Sequence, residues 1–296
     1  MRTAISYRQG VLLVLAAGVM WSFMGLLIRL VGEATTWQVL FYRSLGMIPV
    51  LYATLAVRTG GRPGAAMRRA GATGVIGGAC LVVAFAAAIF AIQSTTVANA
   101  VFLFSATPLL SAILGRVLLG EAVRAVTWLA IAVAMVGIFI MVREGLAAGA
   151  GIGNLAALAS AAAFAVFTVL TRREEMADAT PAILTGAVLS VAVSAAAIAA
   201  AGTGFALPLR GALIALGMGA VILGVGLSLF ALGGRVVPAA EMSLLALLEV
   251  ILGPVWVWLV LGETATLATF AGGAIVLAAL VFNTLATGLS AARALP

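Results

Sequence analysis

Apolar stretches recur from one end of this 296-residue chain to the other, each close to the roughly 20 residues a helix needs to cross a ~30 Å hydrocarbon core. Only helices and closed barrels satisfy their backbone hydrogen bonds inside a bilayer. The alternating segments of about ten residues that mark a membrane barrel are absent from the sequence. Charged residues make up 8% of the chain, against about 25% in soluble domains, too few to cover a water-facing surface. The fold class that follows is an all-α polytopic membrane protein.

Ten spans can be placed. They run from about Gln9 to Val31, Trp37 to Val57, Ala70 to Ile92, the Ser94-Thr95-Thr96 cap to Leu119, and Val126 to Val142. A Gly- and Ala-rich connector, Gly145 to Gly151, precedes the remaining five. These cover about Asn154 to Thr171, Thr180 to Ala201, Gly211 to Leu232, Pro238 to Leu261, and Leu267 to Thr287. Hydroxyls at Thr95 and Thr96 can cap exposed N–H groups. Thr180-Pro181 reads as a cap followed by proline at the first helical position. Thr107-Pro108 marks a kink, because proline removes a helical hydrogen bond.

All 16 basic residues are arginines. With an inside N-terminus, twelve fall on one side and three (Arg29, Arg143 and Arg210) on the other, while Arg43 falls within the second span. This bias orients the chain with both termini cytoplasmic and supports an even number of spans. The net charge of +7 therefore addresses a membrane surface. No basic stripe or aromatic platform suggests a nucleic-acid partner.

Missing residue types narrow the function. Without His or Lys, and with Asp178 as the only aspartate, the chain lacks the means for a Walker-type phosphate loop, a His-ligated zinc site, a Ser-His nucleophile or a paired-aspartate protease. Enzyme readings are disfavoured and no cofactor is expected. Cys80, the lone cysteine, permits no intramolecular disulfide.

The halves repeat. Leu119-Gly120-Glu121 returns as Leu261-Gly262-Glu263, Thr127-Trp128 as Thr269-Phe270, and Phe90-Ala91-Ile92 as Phe230-Ala231-Leu232. The segment Trp21 to Arg29 parallels Phe164 to Arg172. The expected division is residues 1–147 and 148–296. An odd number of spans per half inserts the second half upside down, the build of many secondary transporters, whose solute site lies near the midplane between repeats.

These segments, with Trp21-Ser22, Phe41-Tyr42-Arg43 and the run from Glu249 through Pro254, resemble the drug/metabolite transporter superfamily, specifically its EamA-like branch. The resemblance spans essentially the whole chain. It implies ten helices in two inverted five-helix repeats and export of small metabolites across the bacterial inner membrane, most like exporters of aromatic and other apolar amino acids. One departure is that Val250 follows Glu249 where the family often has proline. Pro254, four residues on, displaces any kink.

The resemblance also implies a central cavity lined by the first, third and fourth helices and by their partners six, eight and nine. Trp21 and Phe164, at equivalent repeat positions, are candidates to line it, and aromatic rings suit an apolar solute. Asn99 and Phe102 share a face of the fourth helix. Asn99 can serve a zwitterionic solute or cap the helix, and Phe102 can line the cavity, as can Phe85 on the third helix. Glu241 and Glu249, eight residues apart in the ninth span, are candidate proton carriers or structural partners of Arg43. Glu121 and Glu263 read as helix-start carboxylates. The expected partners are a small-molecule substrate and the lipid bilayer, in a chain compatible with a monomer. A carrier of nucleotide sugars or drug-like molecules, or a non-transporting scaffold, is the alternative. Anionic cargo would call for more basic cavity residues than Arg43 supplies.

Overall fold

The computed structural model describes residues 6–292, apart from 121, 124, 148–149, 174–178 and 238; the side chains at 144–147, 172–173, 239–241, 243–244, 246–247, 284 and 287–292 are likewise outside the description. Ten helical elements, some of them interrupted, are present among the described residues, and no strand. They are α1 (Tyr7–Leu30), α2 (Thr36–Arg58), α3 (Pro63–Ser94), α4 (Val97–Leu119), α5 (Ala125–Ala147), α6 (Gly151–Arg173), α7 (Thr180–Ala201), α8 (Leu209–Gly233), α9 (Ala239–Leu261) and α10 (Leu267–Ala292). The first eight contain segments long and apolar enough to cross a bilayer. Leu248–Leu261 and Leu267–Asn283 supply shorter apolar stretches in the last two.

Local sequence sets the helix starts. Ser6 and Gln9 form a reciprocal capping box ahead of α1, as Thr35 and Gln38 do ahead of α2. Thr96 caps α4 by accepting from the Asn99 N–H, and Pro63 and Pro181 open α3 and α7. Large apolar side chains face outward, Phe139 on α5 and Trp258 on α9 being 66% and 56% exposed. In water such a surface would drive aggregation; against lipid it is the stable arrangement.

Several spans are interrupted. α1 breaks at Phe23, where the Ser22 hydroxyl donates to the Val19 carbonyl at 2.6 Å. α4 breaks at Ser105-Ala106, just before Pro108. Proline lacks the N–H that would bond the Phe104 carbonyl, and the Thr107 hydroxyl takes its place at 2.7 Å. α9 runs unbroken through Pro254, so the kink anticipated in α4 has no broken counterpart in α9. α8 contains a π-helical stretch, Met218–Val225.

The packing repeats under exchange of the two halves. α5 packs on α10 and α2 on α7, each with its own counterpart. α3 packs on α6 and α7 as α8 packs on α1 and α2, and α4 packs on α6 as α9 packs on α1. This is the two-fold pattern of inverted five-helix repeats. Backbones approach closely at glycine crossings: a Cβ at Gly78 would lie 2.9 Å from the Gly186 nitrogen, and one at Gly272 2.6 Å from the Gly137 carbonyl oxygen. A Cβ at Gly219 would overlap the Arg43 carbonyl. Gly217, two positions away on the same helix, has open space within 4 Å.

Gly219→Ala is therefore expected to destabilise the fold by about 1–3 kcal/mol through overpacking. Gly217→Ala should be neutral or stabilising by up to ~1 kcal/mol. Thermal unfolding followed by circular dichroism in detergent distinguishes them, and equal behaviour of the two variants would contradict the crossing.

Candidate functional site

The seam between halves begins with α1 and α6. Gly10, Val14, Ala17 and Trp21 recur at three- and four-residue spacing along one face of α1, as Gly153, Ala157, Ser160 and Phe164 do on α6. Early in each helix that face is closed. Gly10 lies against Gly233 of α8 and Gly153 against Ser94 of α3, and the Ser160 hydroxyl donates to the Ala84 carbonyl at 2.7 Å. Further along, the equivalence ends. Trp21 packs on Phe230 with ring centroids 5.1 Å apart, and its indole N–H lies against Gly226. Buried there, that N–H has no partner among the described residues. Phe164 touches Phe167 at 5.6 Å but remains 40% exposed.

Arg43 is 3% exposed, with its guanidinium carbon 4.6 Å from the Phe85 ring centroid. Arg43 and Phe85, proposed separately from the sequence, are thus in direct contact. The pairing of Arg43 with Glu249 considered from the sequence is not formed. Arg29–Glu263 is the ion pair found among the described residues. Glu249 is half-buried on the helix that packs along α1, where Leu245 and Leu248 meet Gly18. It makes no hydrogen bond or ion pair among the described residues. The Glu241 side chain lies outside them.

A polar cluster ties the halves together at the Glu263 end of the bundle. Arg29 Nε stands 3.1 Å from Glu263 Oε2, while Arg29 Nη2 donates to the Thr95 carbonyl at 2.7 Å. The Nε contact is one of charge rather than an aligned hydrogen bond. Glu263 Oε1 accepts from the Val97 N–H at 2.7 Å. Glu263 therefore caps α4, a different helix from the one it precedes, which corrects its reading as a start residue of its own helix. The carboxylate gains from the orphan N–H and the helix dipole together. Glu121 lies outside the described residues.

Asn99 is buried beside this cluster. Its amide donates to Asn154 of α6 and to the Thr95 hydroxyl, leaving its own Oδ1 and the Asn154 Nδ2 without partners. Arg29, Gln93, Asn99, Glu263 and Thr269 line a cavity of about 630 Å³. Phe102, one turn further into α4, is buried against Gly273 and lines an apolar groove of about 570 Å³ between α4, α9 and α10. The sequence candidates thus fall into separate groups: Trp21 against α8, Phe164 beside Phe167 on α6, Arg43 with Phe85, and Asn99 and Phe102 on α4. Asn154 and Trp256 went unnoticed as site residues. Trp256 stacks on Phe23 at 4.8 Å and donates to Ser22 Oγ at 2.8 Å, bracing the break in α1.

The profile of the EamA-like transporter family matches residues 8–143 and again 151–285. The chain belongs to the EamA-like transporter family. No match is found among curated proteins. Among solved structures, one crystal structure is 18% identical in sequence and superposes with a TM-score of 0.68 over 95% of this chain and 98% of its own; at that identity it bears on the fold alone.

As a member of this family the protein is a multi-pass membrane transporter whose two matched units meet along the seam just described. The Arg29–Glu263–Val97 cluster joins one unit to the other, with Glu263 of the second capping a helix of the first. Glu263→Gln is expected to lower the thermal midpoint in detergent more than Arg29→Gln does, because the carboxylate serves two partners. The ion pair itself, partly exposed, contributes up to about 1 kcal/mol. A double-mutant cycle with strictly additive effects would show that the contact carries no coupling.

Proposed function

We propose that the protein exports small apolar solutes, foremost apolar and aromatic amino acids, from the cytoplasm across a bacterial inner membrane by alternating access. The observation that carries this reading is the unlike state of two equivalent positions. Trp21 is packed against Phe230, while Phe164, its repeat partner, is 40% exposed on the corresponding face. An inverted repeat has two equivalent ends, and a carrier exchanges their states as the solute passes. A rigid scaffold has no need of such inequality.

The aromatic rings along the seam support an apolar cargo through burial and ring packing. Arginine bias in the sequence supports cytoplasmic termini. The division into residues 1–147 and 148–296 is the functional unit of the exchange in this reading. Glu249, without a partner among the described residues, is the first candidate for proton coupling and Glu241 the second. A nucleotide sugar, with several phosphate charges, would call for more than one buried cation.

Counterflow of labelled apolar amino acids in proteoliposomes should be saturable. Trp21→Ala and Phe164→Ala are each expected to weaken it by at least roughly tenfold, equivalent to a contact of about 1.4 kcal/mol. Phe102→Ala separates the apolar groove from the seam and should have the smaller effect. Absence of saturable exchange for every amino acid tried would sink the cargo assignment. Under an imposed pH gradient, Glu249→Gln or Glu241→Gln should uncouple flux from the gradient, and indifference to both would remove these carboxylates as proton carriers.

A further inference from the structure

The helix crossings related by the repeat are alike in backbone and unlike in charge. On one, Gly78 of α3 lies against Gly186 of α7; on the other, Gly219 of α8 lies against Arg43 of α2. Gly78 and Gly219 are 141 positions apart, and Arg43 and Gly186 143 positions apart, the spacing of the duplication. At the first crossing a glycine suffices on α7. The guanidinium at the second therefore has no part in bringing the helices together.

Its cost is large. Removing a cation from water takes several kcal/mol unless a partner repays it, and a methionine would fill similar space without that cost. Arg43 Nε and Nη2 are buried and make no hydrogen bond among the described residues. The neighbouring Ser44 hydroxyl is buried and unpartnered as well. The ring of Phe85 lies against the guanidinium, and a ring contact of that kind does not consume N–H donors. The Nε–H and Nη2–H bonds point the same way from one edge of the plane, the edge that grips a carboxylate with two parallel hydrogen bonds.

We infer that this edge of Arg43 is the carboxylate-binding element of the solute site, with Phe85 fixing the plane of the guanidinium and Ser44 as an adjacent hydroxyl. The inference rests on the amino-acid reading given above and assigns one end of the solute to one residue. The edge is closed to solvent in this conformation, so a carboxylate reaches it only when a neighbouring helix yields. The π-helical stretch Met218–Val225, whose Gly219 lies on the Arg43 backbone, is the irregularly wound element beside it.

The test is counterflow of labelled phenylalanine in proteoliposomes, with unlabelled phenylalanine, phenylalaninamide and phenethylamine as competitors. In the wild-type protein the acid should compete, and the two analogues lacking the carboxylate should compete roughly 10- to 100-fold more weakly, the range for charge-assisted hydrogen bonds. Arg43→Gln should abolish that preference, while Arg43→Lys, which keeps the charge and loses the fork, should retain it in weakened form. A monodisperse Arg43→Gln protein that still prefers the acid overturns the inference and leaves the transport reading standing. Equal competition by all three compounds in the wild type overturns it without recourse to any variant. Failure of the wild type to exchange phenylalanine or any other amino acid sinks the cargo reading and the inference together.

Discussion

Inside a bilayer a peptide group has no water to turn to, and that condition governs the structure at every scale. It forces each span into a helix and requires the backbone groups freed at an interruption to find partners nearby. Two of the broken helices show the repair. Ser22 serves the Val19 carbonyl at the break in α1, and Thr107 serves the Phe104 carbonyl that Pro108 leaves empty in α4. Because these repairs are local, the breaks can lie deep in the bundle, where helix direction decides what meets across the seam. The same condition explains how a carboxylate of one half comes to serve a helix start of the other. Glu263 finds an orphan N–H at Val97 because α4 starts there.

Much of this was legible in the sequence, for identifiable reasons. Span positions follow from apolar length, and helix starts from local chemistry: the Thr96 cap, the Pro181 start and the interruption near Thr107-Pro108 depend only on neighbouring residues. The cap expected at Thr180 is not formed, because the helix begins one residue earlier with Ala179 at the cap position. Pairings across the fold depend on which helices adjoin, which no local pattern states. Glu263 looked like a start residue of the following helix and instead caps α4. Asn99 was recognised as versatile, yet its partner Asn154 lies 55 positions away. Arg43 was visible as a cation within a span; that no described acid reaches it required coordinates. The π-helical stretch of α8 is written in Gly, Val, Leu and Ile residues that also suit an ordinary helix.

Position and chemistry part company along the seam. Trp21 and Phe164 stand at corresponding places in the two units that the family profile matches, yet one ring is packed on Phe230 and the other is 40% exposed. The repeat therefore supplies two versions of a local arrangement within one molecule. Features present in only one version, such as the guanidinium at Arg43 where the other half has Gly186, are independent of the shared framework and free to serve the solute.

The α5–α10 contact has the opposite character. Exchange of the halves carries this pair onto itself, through the mutual approach of Gly137 and Gly272. In the alternating-access reading proposed above, an arrangement that maps onto itself has no second form to adopt when the other helices trade places. The pair would then be an invariant of that exchange, a fixed spine that contributes equally to both end states and sets no bias between them.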